Sequence, residues 1–109
     1  MKRIELSMSD NTTTTPRVQI ELKTERPKLH KVMLVNDDFT PRDFVTRVLR
    51  IEFRMAEEQA RRVMITAHQR GVCMVAVFTK DVAEAKATSA TDHGRKEGFP
   101  LLFTTEPEE

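Results

Sequence analysis

The stretch Val35-Asn36-Asp37-Asp38-Phe39-Thr40-Pro41-Arg42-Asp43-Phe44-Val45 decides how this chain is read. An apolar run, Val32 to Val35, stops at three polar residues, and a helix-start signal follows. Thr40 has a hydroxyl able to cap the helix. Pro41 suits the first helical position, because the N–H it lacks would have no helical partner there. Asp43 stands three residues after Thr40, where a capping box carries Glu or Gln. Asn36, Asp37 and Asp38 therefore form a short turn between a strand and a helix, and loops held by rigid elements are common places for binding groups. Three acceptor-rich side chains at a strand end read as a receptor for something cationic. A purely structural reading stands beside this one, since Asn and Asp bond nearby backbone in turns.

Outward from that turn, His30 to Val35 reads as the first strand, rich in apolar residues. Pro41 to about Phe53 reads as a helix with Phe44, Val45, Val48 and Leu49 on one face. A second helix begins near Ala56 and runs to about Arg70 with the stripe Ala60, Val63, Met64 and Ala67, and Gly71 is placed to end it in a left-handed conformation. Val72 to Phe78 is a near-continuous apolar run, which predicts a buried central strand. Thr79 is expected to cap a third helix, with Asp81 in the first turn where the helix dipole favours negative charge. That helix should reach Lys96 or Glu97 before Gly98 and Pro100 stop it, with Gly94 weakening its last turns. Leu101 to Thr104 reads as a final strand. The order β-α-α-β-α-β gives an α+β two-layer sandwich, helices on one face of a small sheet.

The ends differ from this core. Residues 1–28 hold a threonine run, Thr12 to Thr15, and only a weak alternation of Val18, Ile20 and Leu22. So little apolar surface predicts a flexible extension. Residues 29–105 form the expected folded core, and 106–109 a solvated acidic tail.

Composition bounds the function. A chain of 109 residues, 39% apolar, holds one domain with a small core. Eighteen basic against seventeen acidic residues leave a net charge of +1, so no global field favours nucleic acid or membrane. Six Phe and no Trp or Tyr offer little stacking surface for single strands. No apolar run approaches the ~20 residues of a membrane span. With Glu5 and Asp10 near the start and no apolar signal core, a cytoplasmic protein is expected.

Nothing points to catalysis. Cys73, the single cysteine, falls in a predicted buried strand, where the neutral thiol is favoured. Three glycines make no phosphate loop. Asp37, Asp38 and His68 lack the ligand spacing of a metal site, so no metal and no cofactor are expected. His68 lies one turn after Met64, at the edge of the second helix's apolar stripe. Near a helix C-terminus it also reads as a simple dipole partner. His30 and His93 read as surface residues.

Several separated segments together resemble a known family. They are Leu34 to Pro41, Phe44-Val45, Ala60 to His68 with Gly71, Val77-Phe78-Thr79, Val82 to Lys86, and Pro100-Leu101. They look like ClpS, the bacterial adaptor family that delivers N-degron substrates to the ATP-dependent protease ClpAP. The resemblance spans about residues 29 to 105. It implies the fold of the ribosomal stalk protein's C-terminal domain, three helices on a three-stranded antiparallel sheet.

It also implies a pocket for a substrate's first residue, bulky and hydrophobic: Leu, Phe, Tyr or Trp. By motif match, Asn36 and His68 bond the free α-amino group, Asp37 acts nearby or through water, and Asp38 and Thr40 shape the loop. An ammonium has three donors and calls for fixed acceptors, and capture of an N-terminal amine is a recognised mode of peptide reading. His68 must be neutral at the bonding nitrogen, because the protonated ring has no acceptor. The side chain would enter an apolar cavity lined by Leu34, Val45, Met64, Ala67 and Leu101, with Arg42 at the rim. The resemblance further implies a monomer that docks on the N-terminal domain of the AAA+ unfoldase ClpA through Asp81 and Lys86, with residues 1–28 in the position of the arm that engages the motor.

Two departures bear on specificity. The family often carries Met where this chain has Arg42, and Val where it has Ala67. Ala67 enlarges the cavity, while Arg42 places a cation near an ammonium, so altered specificity and weaker binding than in a Met-gated relative are expected. Asp81, for the family's Glu, shortens the reach to ClpA. The alternative reading is a module that docks on ClpA without reading N-degrons, and a small metal-dependent hydrolase ranks third.

Overall fold

A computed structural model describes residues 27–108. Of the extension expected over residues 1–28, the part up to residue 26, with its weak strand signal, lies outside the described residues, as does the final residue. Six elements follow one another: β1 (Leu29–Val35), α1 (Arg42–Phe53), α2 (Glu57–Arg70), β2 (Val72–Thr79), α3 (Lys80–Lys96) and β3 (Leu102–Pro107). The three strands form one antiparallel sheet in the order β2-β1-β3. Three helices pack on one face of it, the expected α+β sandwich.

The alternation in β1 sets the layers. Val32 and Leu34 are buried beneath the helices, and each is flanked by less buried neighbours. Onto them pack Phe44, Val45, Val48 and Leu49 of α1, and Ala60, Val63 and Ala67 of α2. The inner stripe of α3 is Ala83, Ala87, Ala90 and Gly94, small residues that let the helix lie close to the sheet. Gly94 does not end the helix early: it lies against Leu101, and packing outweighs a helix-propensity cost of about 1 kcal/mol. Gly71 takes φ 91° after α2, and its N–H donates to the Ala67 carbonyl at 2.7 Å. This is the left-handed stop expected there.

Three expectations about the strands and caps need correction. β2 is an edge strand, and β1 is the central one. The apolar run misleads because β2 opens to the helix-free face: Val72 and Met74 are 41% and 49% exposed. Between Val32 and Met33 the pairing slips, leaving Val75 as an extra, buried residue in β2. Secondly, β3 runs past Thr104 to Pro107, so Glu106 and Pro107 belong to the sheet and not to a tail. Glu106 pairs with Lys31 in register, with their charges 3.3 Å apart.

Thirdly, neither Thr40 nor Thr79 caps a helix with its hydroxyl. The residue before α1 is Pro41, which cannot use a side chain to cap, and Thr79 precedes α3 without a side-chain cap bond. α1 opens instead with the Val45 N–H donating to the Pro41 carbonyl at 3.1 Å.

Candidate functional site

The loop between β1 and α1 is folded around one carboxylate. Oδ1 of Asp37 accepts the N–H groups of Phe39 at 2.8 Å and Thr40 at 2.7 Å, and Oδ2 accepts the Thr40 hydroxyl at 2.8 Å. That hydroxyl was expected on the helix end. It goes to Asp37 because a hydrogen bond to an ionised acceptor is about twice as strong as a neutral one. Thr40 is buried by this arrangement. The start of the loop is held by the Asn36 N–H, which donates to the Gly71 carbonyl at 3.0 Å, tying it to the end of α2.

This bond brings the last turn of α2 beside the loop, and a cavity of about 300 Å³ lies between them. Its floor is aliphatic: Leu34, Val45, Ala67 and Leu101 are buried, and Met64 is half-buried. Its mouth is polar, carrying Asn36, Asp37, Asp38, Thr40, Arg42 and His68. The volume is at the low end for a ligand pocket and suits one side chain more than an extended molecule. Phe39, 79% exposed, and Val35 and Pro41 also border the cavity. None of the three was named as a site residue from the sequence, although all three sit inside the quoted stretch.

At the mouth, Nη2 of Arg42 stands 2.7 Å from Nε2 of His68. A guanidinium only donates, so in this contact Nε2 has to act as the acceptor, which requires the tautomer with the proton on Nδ1. The contact joins the first residue of α1 to the last turn of α2, across 26 positions of sequence. No local pattern announces it.

Asp81 and Lys86 lie elsewhere. Asp81 is exposed in the first turn of α3. Lys86 is half-buried, and its Nζ donates to the Glu52 carbonyl at the end of α1, 3.2 Å away. Both border a shallow depression with Val82, Ala85 and Ser89. The carboxylate of Glu52 is itself bound, accepting the Ser89 hydroxyl at 2.7 Å and facing Nδ1 of His93 at 3.0 Å. Burial pushes the Glu52 carboxyl up, but the hydrogen bonds from Ser89 and His93 and the charges of His93 and Lys86 outweigh it and hold the group below its ordinary value. His93 is thus no plain surface residue: it is half-buried and packs edge-on against Phe44, with centroids 5.7 Å apart. His30 is half-buried as well, with Nδ1 enclosed and unpartnered.

Cys73 is half-buried, and burial pushes its thiol up more strongly than the Arg70 charge draws it down. The thiolate is the nucleophile, so this side chain is poorly suited to attack. Among the described residues, no group of three His, Cys, Asp or Glu side chains is placed to hold a metal ion, and no helix is long and apolar enough to cross a membrane.

Residues 25–104 match the family described as ATP-dependent Clp protease adaptor protein ClpS. The chain belongs to the ClpS family. It is 69% identical over 97 residues to ATP-dependent Clp protease adapter protein ClpS 2 of Mesorhizobium japonicum, covering 89% of this chain and 96% of that one. With ClpS 1 of Rhodopseudomonas palustris it shares 71% over 93 residues, 85% of this chain and 90% of the relative. A solved structure, Agrobacterium tumefaciens ClpS2 bound to L-phenylalaninamide, superposes with a TM-score of 0.75 at 63% identity, covering 76% of this chain and all of the other. ClpS proteins are adaptors of the Clp protease, so this ClpS chain is an adaptor and not an enzyme.

Proposed function

We propose that this ClpS adaptor binds proteins through a bulky hydrophobic N-terminal residue and delivers them to the ClpAP protease. The observation that carries the reading is the cavity's two-part lining, acceptors at the mouth and aliphatic side chains below. That lining complements a free N-terminal residue, which has an ammonium at one end and an apolar side chain at the other. The Agrobacterium relative bound to L-phenylalaninamide supports it, because that molecule carries both features.

The steps follow from the donors and acceptors. The substrate's ammonium displaces the Arg42 guanidinium from Nε2 of His68 and takes the lone pair. The Asn36 side-chain oxygen accepts a second ammonium proton, and its amide N–H donates to the first peptide carbonyl, which fixes chain direction. Asp37 keeps the loop in shape and adds negative potential, and Asp38 adds charge at the rim. Hydrogen bonds to a charged group contribute about 1.5–3 kcal/mol. Burial of a Phe- or Leu-sized side chain contributes a similar ~1.5–3 kcal/mol. Neither contribution alone gives tight binding, so an internal Phe and a terminal polar residue are both rejected.

Delivery is assigned to α3. Asp81 and Lys86 are proposed to contact the N-terminal domain of ClpA, with the adaptor acting as a cytoplasmic monomer and its N-terminal extension engaging the motor. The test is degradation of a Phe-initiated fluorescent reporter by ClpAP. Added adaptor should accelerate it, and Asp81→Ala with Lys86→Ala should remove the acceleration while leaving peptide binding intact. No acceleration by the wild-type adaptor contradicts the delivery step.

One observation favours a second reading, docking on ClpA without N-degron recognition: Arg42 already occupies the His68 acceptor. Under that reading, free N-terminal peptides do not bind.

A further inference from the structure

Arg42 does more at the mouth than cover His68. Its guanidinium is permanently charged, yet its hydrogen-bond partner is an imidazole nitrogen 2.7 Å away. Among the described residues, no carboxylate lies within ion-pair distance of it. When an incoming ammonium takes Nε2 of His68, the guanidinium loses that partner and stays at the rim as an unpaired cation.

On the N-degron reading, the rest of the peptide would leave the cavity through its mouth, which Arg42 lines. With the first side chain in the cavity, the second residue's Cα lies about 3.8 Å along the chain from the first. Arg42 lines the mouth, and its side chain is long enough to reach that neighbourhood. A carboxylate there accepts the planar fork of the guanidinium through two parallel bonds, which an ammonium cannot match in geometry.

We propose that Arg42 makes this adaptor select substrates with an acidic second residue, Asp or Glu, behind the hydrophobic first one. The inference rests on the N-degron reading given above. An acidic second residue converts the displaced cation into a paired one. A basic second residue adds repulsion beside a cation that has just lost its acceptor. Asp38 works in the opposite direction at the exposed edge of the loop, but it acts only at a distance through screening water, whereas Arg42 can bond a carboxylate directly.

The experiment uses three labelled peptides with free N-termini beginning Phe-Glu, Phe-Gln and Phe-Lys and otherwise identical, titrated against the full chain and its Arg42→Met variant. The wild type should bind Phe-Glu about threefold more tightly than Phe-Gln, the size of a solvent-exposed ion pair, with Phe-Lys weakest. In Arg42→Met the Phe-Glu advantage should vanish. A second measurement needs no variant: raising salt should shrink the wild-type Phe-Glu to Phe-Gln ratio towards one. Equal ratios in the two proteins, or a wild-type ratio unmoved by salt, overturn the inference while leaving N-degron recognition standing. Failure of all three peptides to bind either protein overturns both.

Discussion

Gly94 of α3 and Leu101 touch so closely that a Cβ built on Gly94 would stand 2.7 Å from Leu101 Cβ. Leu101 is 1% exposed and forms part of the cavity floor. The one glycine inside α3 therefore sets how far that floor is withdrawn from the mouth. Gly94→Ala should destabilise the fold by about 1–3 kcal/mol through overpacking, despite the gain in helix propensity of about 1 kcal/mol. Urea unfolding reads the cost. An unchanged or raised midpoint contradicts the close approach.

Asp37 organises the loop more than it faces a ligand. Its carboxylate holds two backbone N–H groups and the Thr40 hydroxyl, and Asp37→Ala strands the two part-buried Thr40 donors while the exposed Phe39 N–H turns to water. The expected loss is about 1–3 kcal/mol of stability, the usual cost of leaving buried polar groups unpaired. Asp37→Asn should lie between wild type and Ala. Equal midpoints for wild type and Asp37→Ala contradict this assignment.

The Glu52 cluster predicts an acid-dependent weakening. Its carboxyl is held below the ordinary value, so the folded state keeps it ionised where the unfolded chain takes up a proton. The stabilisation is fully present above the unfolded value, about 4.3, and is lost as pH falls through the lower folded one. Between pH 6 and pH 3, wild type should therefore lose more stability than Glu52→Gln in parallel denaturant titrations. Parallel losses would show that the contacts with Ser89 and His93 do not discriminate the charged form.

Under the proposed function, Arg42→Met removes the donor that competes for Nε2 of His68 and a cation beside the incoming ammonium. Affinity for a Phe-initiated peptide with a neutral second residue should rise by about fivefold or more, the factor that corresponds to ~1 kcal/mol for losing an opposing hydrogen bond. Calorimetry of the two proteins checks it. Unchanged affinity means that the guanidinium swings aside at no cost.

How much of this was legible in the sequence depended on range. The strand-turn-helix of the quoted stretch and the end of α2 could be read to within a residue or so, because Pro41 is a local marker of a helix start and Gly71 one of a helix stop. The capture of Thr40 by Asp37 was not legible, since Thr40 suited a cap equally well until the loop conformation chose between two acceptors. The place of β2 in the sheet was misread because an apolar run records hydrophobicity and not the number of neighbouring strands. Here Val72 and Met74 stay half-open on the bare face. Arg42 with His68, and Glu52 with Ser89 and His93, are contacts across 26, 37 and 41 positions, which only the packing of α1 on α2 and α3 creates. Eleven of the fourteen residues that border the cavity were named from the family's motifs, Val35, Phe39 and Pro41 being the exceptions, whereas composition and periodicity alone left an Asn-Asp-Asp turn and a helix-end histidine with ordinary structural explanations.

The most direct test of the account is fluorescence anisotropy with one labelled peptide beginning with Phe, compared with the same peptide acetylated at its N-terminus. Acetylation removes the charge and all but one of the amine donors while leaving the Phe side chain unchanged. The account predicts saturable binding of the free-amine peptide alone. Equal binding of both forms, or of neither, would contradict it.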